Sequence, residues 1–160
     1  HHASHEHGVA ELNIAIDGNH VLIELDIPTA NVVGFEHSPR NEQQHEKVDH
    51  AIKLLEHPDN IIRFSSSAEC SLEEVMVETG LADKEDHSHA HDEAIDTTED
   101  SHSDFNVSYS FSCNKIEKIE YMKVKLFTQF ERIENVKVQM ITPSGQGLLE
   151  LNPSHSKIEF

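Results

Sequence analysis

Histidine is the residue type that offers the most chemistry in this sequence, with 14 copies against 12 lysines and arginines together. Neutral imidazole is the commonest metal ligand among side chains, and with carboxylates it suits zinc and, less selectively, copper or nickel. The 30 acidic residues give a formal net charge of -18, which attracts divalent cations and repels nucleic acid and anionic membranes. With no run of apolar residues long enough to insert into a membrane, the composition favours a cation-binding protein.

The first candidate metal site is built around His5 and His7, just before a predicted β-hairpin. Apolar and polar residues alternate over 10–16 and 21–27, and Asp17-Gly18-Asn19 between them is typical of a tight turn. Residues whose numbers sum to about 37 therefore face each other across the two strands.

This register places positions 5 and 7 near positions 30–32, after which the chain turns at Gly34 and reaches His37. We expect His5, His7 and His37 to meet at one end of the hairpin, where a carboxylate or water completes a tetrahedral zinc site. The alternative is that residues 1–8 form a flexible arm whose histidines have no function.

The second candidate site lies in a segment, residues 80–104, that is rich in Asp, Glu, Ser, Thr and His and poor in large apolar residues. Such a composition predicts a mobile loop unless a metal organises it. Alternate residues of an extended chain project to one side, so neighbouring histidines of this loop can share an ion with modest affinity. The predicted ligands are His87, His89, His91 and His102, with oxygens from Asp83, Asp86 and Asp92. The alternative is a solvated acidic loop.

A third group of histidines, His45, His50 and His57, falls in a predicted helix and is interpreted as solvated or half-buried. His45-Glu46 followed by His50 differs from the metalloprotease motif HExxH, because position 49 is Asp. Two imidazoles five residues apart point ~140° away from each other on a helix and cannot share a zinc ion.

The two cysteines, Cys70 and Cys113, form no CxxC pair. In an oxidising compartment we expect them to form one disulfide bond, contributing ~2–4 kcal/mol, which would join the base of the histidine-rich loop. The alternative is two separate buried thiols.

The residue patterns along the rest of the chain predict an α+β domain. Its antiparallel sheet carries one main helix at about 39–57 and the histidine-rich loop. Ser38-Pro39 is interpreted as the N-cap and first position of that helix. We expect residues 1–160 to form a single domain. Further strands are predicted at 61–64, 72–78, 105–113, 122–126, 136–140 and 148–151, and short helical turns at 29–34 and 115–120.

Several segments resemble the ZrgA-like family of periplasmic zinc-binding proteins of Gram-negative bacteria. They are residues 5–12 (HEHGVAEL), 30–37 (ANVVGFEH) followed by Pro39, 111–113 (FSC) and 126–127 leading to 136–139. The resemblance implies a periplasmic protein that assists zinc acquisition beside an ABC-type importer and its solute-binding protein. It also points to His5, His7, His37 and the loop histidines as ligands.

A zinc-binding accessory protein, a scavenger or chaperone without enzymatic activity, is thus the function we expect from the sequence. One alternative is a pH-responsive or interaction module in which the histidines bind protons rather than metal. A metallohydrolase is less favoured, because no motif builds a rigid three-ligand site with a general base, and no nucleophile elbow or phosphate-binding loop is present.

Overall fold

The computed structural model describes residues 6–83 and 103–160 of the protein. Five of the predicted histidine ligands, His5, His87, His89, His91 and His102, lie outside these residues, as do Asp86 and Asp92. The prediction that residues 80–104 form a mobile loop likewise falls mostly on residues that are not described.

The predicted hairpin is confirmed. The two segments with alternating apolar and polar residues are the antiparallel strands β1 (Val9–Asp17) and β2 (His20–Pro28). Glu11 pairs with Asp26 and Asp17 with His20, so paired numbers sum to 37 as predicted. Gly18 has a φ of 62°, which glycine adopts without steric cost.

The other strands complete one large and one small sheet. They are β3 (Ile62–Phe64), β4 (Cys70–Thr79), β5 (Asp104–Cys113), β6 (Tyr121–Val124), β7 (Asn135–Thr142), β8 (Gly145–Leu151) and β9 (Lys157–Glu159). The large sheet has six strands in the order β4-β5-β2-β1-β7-β8, and the small one has the order β3-β6-β9. Neighbouring strands are antiparallel, as predicted, except for the parallel pair β1 and β7, which the sequence did not indicate.

Four α-helices lie in the described residues: α1 (Thr29–Val33), α2 (Glu42–Glu56), α3 (Gly80–Asp83) and α4 (Leu126–Gln129). A 3₁₀ turn at Ile116–Lys118 matches the helical turn predicted near 115–120. None of the helices within residues 6–83 and 103–160 is long and apolar enough to cross a membrane.

The core lies between one face of the large sheet and a layer formed by α2 and the small sheet. Val48, Ala51 and Leu55 of α2 are buried against it. Tyr109 of β5 is fully buried, and its hydroxyl donates a 2.5 Å hydrogen bond to the Leu55 carbonyl oxygen. Burial raises the pKa of Tyr109 well above its ordinary value, so the phenol stays neutral and keeps donating to the helix.

Two sequence predictions about helices and strands are wrong at their boundaries. The main helix begins at Glu42 rather than 39, because the side chain of Asn41, not Ser38, accepts a 2.9 Å hydrogen bond from the Gln44 amide and caps it. Leu126 does not continue β6 as predicted, since it starts the short helix α4.

The Cys70–Cys113 disulfide is confirmed, but its predicted position at the base of the histidine-rich segment is wrong. Cys70 begins β4 and Cys113 ends β5, and the two face each other in the antiparallel pair. The connection between the strands leaves from the opposite end, where Thr79 pairs with Phe105. The disulfide therefore lies about 30 Å from that connection, which is the length of one ten-residue strand, because β4 and β5 run side by side.

Candidate metal-binding end of the sheet

The segment that precedes β1 is fixed by one buried side chain, Asn31 of α1, which is 3% exposed. Its Oδ1 accepts a 3.1 Å hydrogen bond from the Gly8 amide. Its Nδ2 donates to the carbonyl oxygens of Glu6 and Val9, both at 3.0 Å. Residues 6–8 are thereby attached to α1 and do not form a free arm.

Two glycines with positive φ, Gly8 and Gly34, lie against the same residue, Arg132. A Cβ at Gly8 would lie 3.3 Å from the Arg132 carbonyl oxygen, and a Cβ at Gly34 would lie 2.9 Å from its Nη2. The carbonyl oxygen of Gly8 also accepts hydrogen bonds from the amides of Glu134 and Asn135, at 2.7 and 2.9 Å. The chain before His37 and the chain around His7 therefore approach one common neighbour.

His7 and His37 lie at this end of the sheet, before β1 and after α1 respectively. The His7 side chain is exposed. The half-buried His37 ring stacks on Phe35 with centroids 4.9 Å apart. Its Nδ1 donates to the Ser38 carbonyl oxygen at 2.7 Å, because a carbonyl oxygen can only accept. In the neutral ring Nε2 then carries the lone pair, which is the usual arrangement of a metal-ligating histidine.

The ends of the histidine-rich segment meet at the same place. Helix α3 directly follows β4, and a Cβ at Gly80 would lie 3.8 Å from the Cβ of Ser103. Ser103 accepts a 2.9 Å hydrogen bond from the Thr29 amide, and the two hydroxyl groups are 2.8 Å apart. The chain therefore leaves the sheet at α3 and returns to it beside α1.

We call this region the histidine end: residues 6–8, helix α1 with the following residues 34–38, Arg132, and the flanking residues Gly80 and Ser103. Within the part of the chain that the structure describes, no group of three or more His, Cys, Asp or Glu side chains is arranged to hold a metal ion. Of the predicted first site His7 and His37 are described and His5 is not. The composition of both metal sites therefore stays a prediction.

The remaining described histidines lie elsewhere. His20, at the hairpin turn, has its Nδ1 3.6 Å from a carboxylate oxygen of Glu73. His57 ends α2, and its Nδ1 donates to the Lys53 carbonyl oxygen at 3.0 Å. His45 and His50 are exposed on α2. His155 is exposed in the turn after β8.

Sequence reasoning missed the residues that position the candidate ligands: Asn31, Arg132 and the Thr29–Ser103 pair. Asn31 lies within the motif ANVVGFEH, but a lone asparagine in a short predicted helical turn gives no sign that its side chain is buried. Arg132 lies about a hundred residues away in an unremarkable loop. Only the fold brings these residues together.

The fold defines an α+β protein with one disulfide, in which His7 precedes β1 and His37 follows α1 at the opposite end of the sheet. The family model described as ZrgA family zinc uptake protein matches residues 4–160, nearly the whole chain. The chain therefore belongs to the ZrgA family, which supports a role in zinc acquisition and is not a known enzyme family. No curated protein sequence matches it individually. Family and disulfide together indicate an extracytoplasmic protein.

Proposed function

We propose that this protein is a periplasmic zinc-binding accessory protein without enzymatic activity. In this proposal it collects zinc and passes the ion to the solute-binding protein of an ABC-type importer. Zinc is the cargo, and the same ligands could also take copper or nickel. The proposal rests on the family match over residues 4–160 together with the geometry of the histidine end.

The ligands we propose for the first site are His5, His7 and His37. The hydrogen bond from His37 Nδ1 to the Ser38 carbonyl supports this assignment, since it presents Nε2 to the metal and holds the ring plane. Stacking on Phe35 restricts the ring further. A site that is partly ordered in advance loses less conformational entropy on binding.

For the second site we propose His87, His89, His91 and His102, with lower affinity. A segment of this composition must lose conformational freedom to surround an ion.

The observation that carries the transfer function is the hydrogen-bonded contact of Thr29 with Ser103. Ser103, which follows the histidine-rich segment, thereby lies next to α1, and Asn31 of the same helix holds the chain around His7. An ion bound weakly by the segment would have a short path to the first site, where its ligands can be exchanged one at a time.

Zinc titration by calorimetry at constant pH tests the proposal on four forms of the full chain. They are the unsubstituted protein, the triple variant H5S/H7S/H37S, the quadruple variant H87S/H89S/H91S/H102S, and the matched control H45S/H50S/H57S, which removes two histidines of α2 and the one that caps its C-terminus. We expect the triple variant to lose the tighter site, the quadruple variant to lose weaker sites, and the control to match the unsubstituted protein.

Other outcomes of this titration separate the remaining functions. If the control loses as much binding as the triple variant, the site does not lie at the histidine end. If no form binds zinc, copper or nickel more tightly than ~1 mM, about -4 kcal/mol, metal binding is excluded and a pH-responsive or interaction module takes its place. Zinc-dependent turnover of generic ester or phosphate substrates would instead support a metallohydrolase.

A further inference from the structure

The face of the large sheet opposite the core is uncovered by any helix or strand in residues 6–83 and 103–160, and we call it the open face. Its side chains alternate with the buried ones along each strand, and most are exposed. Two adjoining shallow depressions, of about 400 and 250 Å³, lie on it and share Asn13 and Glu24 in their lining.

Exposed apolar side chains are concentrated on the open face. Leu22, Met76, Ile141 and Leu148 are 39, 48, 47 and 81% exposed, and they are four of the six exposed large hydrophobic residues in the described chain. Leu22 and Ile141 both neighbour Ala15 in the strand register, so these three form a continuous apolar row. Clustered exposed apolar side chains mark interaction surfaces, whereas single ones need no explanation.

The open face is also strongly negative. Lys137 is its one cation among the described residues, and its Nζ lies 3.6 Å from a carboxylate oxygen of Glu6. Eight carboxylates against one lysine give a formal charge of -7. The carboxylates are Glu11, Asp17, Glu24, Asp26, Glu74, Glu78, Asp104 and Glu150.

We propose that the open face is a docking surface for a protein partner that presents lysines and arginines around an apolar centre. Charge complementarity favours such a partner, because opposite charges around an apolar contact accelerate association and select the register. The proposal is independent of where zinc binds, since the histidine end lies beyond the strand ends and the open face runs across their middle.

A second copy of this chain is the less favoured occupant. Two open faces would bring eight carboxylates against eight, and like charges oppose association. Six strands spaced by about 4.8 Å span about 24 Å, and about seven residues of length give a footprint of about 600 Å². That area is below the roughly 800 Å² that each partner of a standard stable complex buries, so the open face fits a transient complex better than a permanent dimer.

In the first test, a photo-crosslinking amino acid replaces Met76 or Leu148 of the full-length protein, and the variants are crosslinked inside the cells that naturally produce the protein. Matched control positions are Lys47 and His50, which are exposed on the outer side of α2. We expect one partner, identified by mass spectrometry, to crosslink from both open-face positions and from neither control. Absence of a crosslink above the control level, or a crosslink to a second copy of this chain, overturns the proposal.

The second test measures binding of that identified, purified partner to full-length variants. E24K/E78K and L148S should each raise the Kd about tenfold, as loss of an interface anchor does, and added salt should weaken binding. E46K/E56K on α2 is the matched charge-reversal control, and denaturation midpoints check that each variant folds. If E24K/E78K and L148S bind no more weakly than the control, the docking surface is elsewhere.

Discussion

The two ends of the large sheet are held by different chemistry. At one end the Cys70–Cys113 disulfide joins β4 to β5, and the Cys113 amide donates a 2.8 Å hydrogen bond to Asn19 in the hairpin turn. At the histidine end the chain is held by hydrogen bonds from Asn31 and Thr29 and by close packing of two glycines on Arg132. The disulfide end is closed by a covalent bond, whereas the contacts of the described residues at the histidine end are non-covalent.

This difference separates two tasks. A disulfide limits the unfolded chain without taking part in binding. Hydrogen bonds to backbone groups hold a segment in place but allow adjustment when a ligand binds, because each contributes only about 1 kcal/mol net. We therefore expect substitutions at the disulfide end to change stability alone, and substitutions at the histidine end to change stability and zinc affinity together.

The largest effect is expected from C70S/C113S. The sequence separation of 43 residues corresponds to about 4 kcal/mol of stability in the chain-entropy model. Zinc affinity of the folded variant should be unchanged, because the disulfide lies at the far end of the sheet. Urea denaturation and calorimetry check the two parts, and a large loss of zinc affinity in the folded variant would remove the proposed separation.

Asn31→Ala should have the next largest effect. It removes a buried side chain that makes three hydrogen bonds, and leaving buried backbone groups unsatisfied costs about 1–3 kcal/mol. Zinc affinity should fall as well, because the chain around His7 loses its attachment to α1. Denaturation midpoints with and without zinc measure both effects, and the N31A variant should gain less stability from zinc than the unsubstituted protein.

A glycine at each end provides a matched pair, G34A and G18A. Gly34 has a φ of 92° and Gly18 a φ of 62°, so alanine at either site costs about 1 kcal/mol of backbone strain. At Gly18 no atom lies within 4 Å of the added Cβ, whereas at Gly34 the added Cβ displaces the flexible end of Arg132. Only G34A should weaken zinc binding in calorimetry. Equal zinc affinity of the two variants would show that residues 34–38 do not position a ligand.

Thr29→Val should have the smallest effect on stability, about 0.5–1.5 kcal/mol. It removes the hydroxyl contact to Ser103 but keeps the backbone hydrogen bond from the Thr29 amide. Amide hydrogen exchange at residue 29 should accelerate, while exchange at residue 113 near the disulfide should not. Faster exchange at both sites would mean that the two ends open together.

Local patterns were sufficient for the hairpin, because strict alternation and the Asp17-Gly18-Asn19 turn determine both the strands and their register. The helix start was missed because Ser38 and Asn41 are equally good caps by type, and only the hydrogen bond to Gln44 distinguishes them. The parallel pairing of β1 with β7 depends on packing over the whole sheet, which no local window contains.

The position of the disulfide could have been predicted from the sequence, but the prediction that it lies at the base of the histidine-rich loop was wrong. Two cysteines in an oxidising compartment predict one bond, and this is confirmed. A cysteine at the start of one strand and another at the end of its antiparallel neighbour must lie away from the connecting segment. For the candidate ligands, position 7 near helix α1 followed from the register, whereas the contacts of Arg132 and Ser103 required the folded chain.

The parallel pairing of β1 with β7 has a consequence for the order of folding. Val9 pairs with Asn135, so a strand near the start of the described chain lacks one neighbour until a segment over a hundred residues later has arrived. Contacts of such high sequence separation form slowly. We therefore expect a chain that emerges N-terminus first to form the β1–β2 hairpin and the hydrogen bonds of Asn31 to residues 6–9 early. The large sheet can be completed only when β7 has been synthesised, so β8 and β7 are added to an already folded N-terminal part.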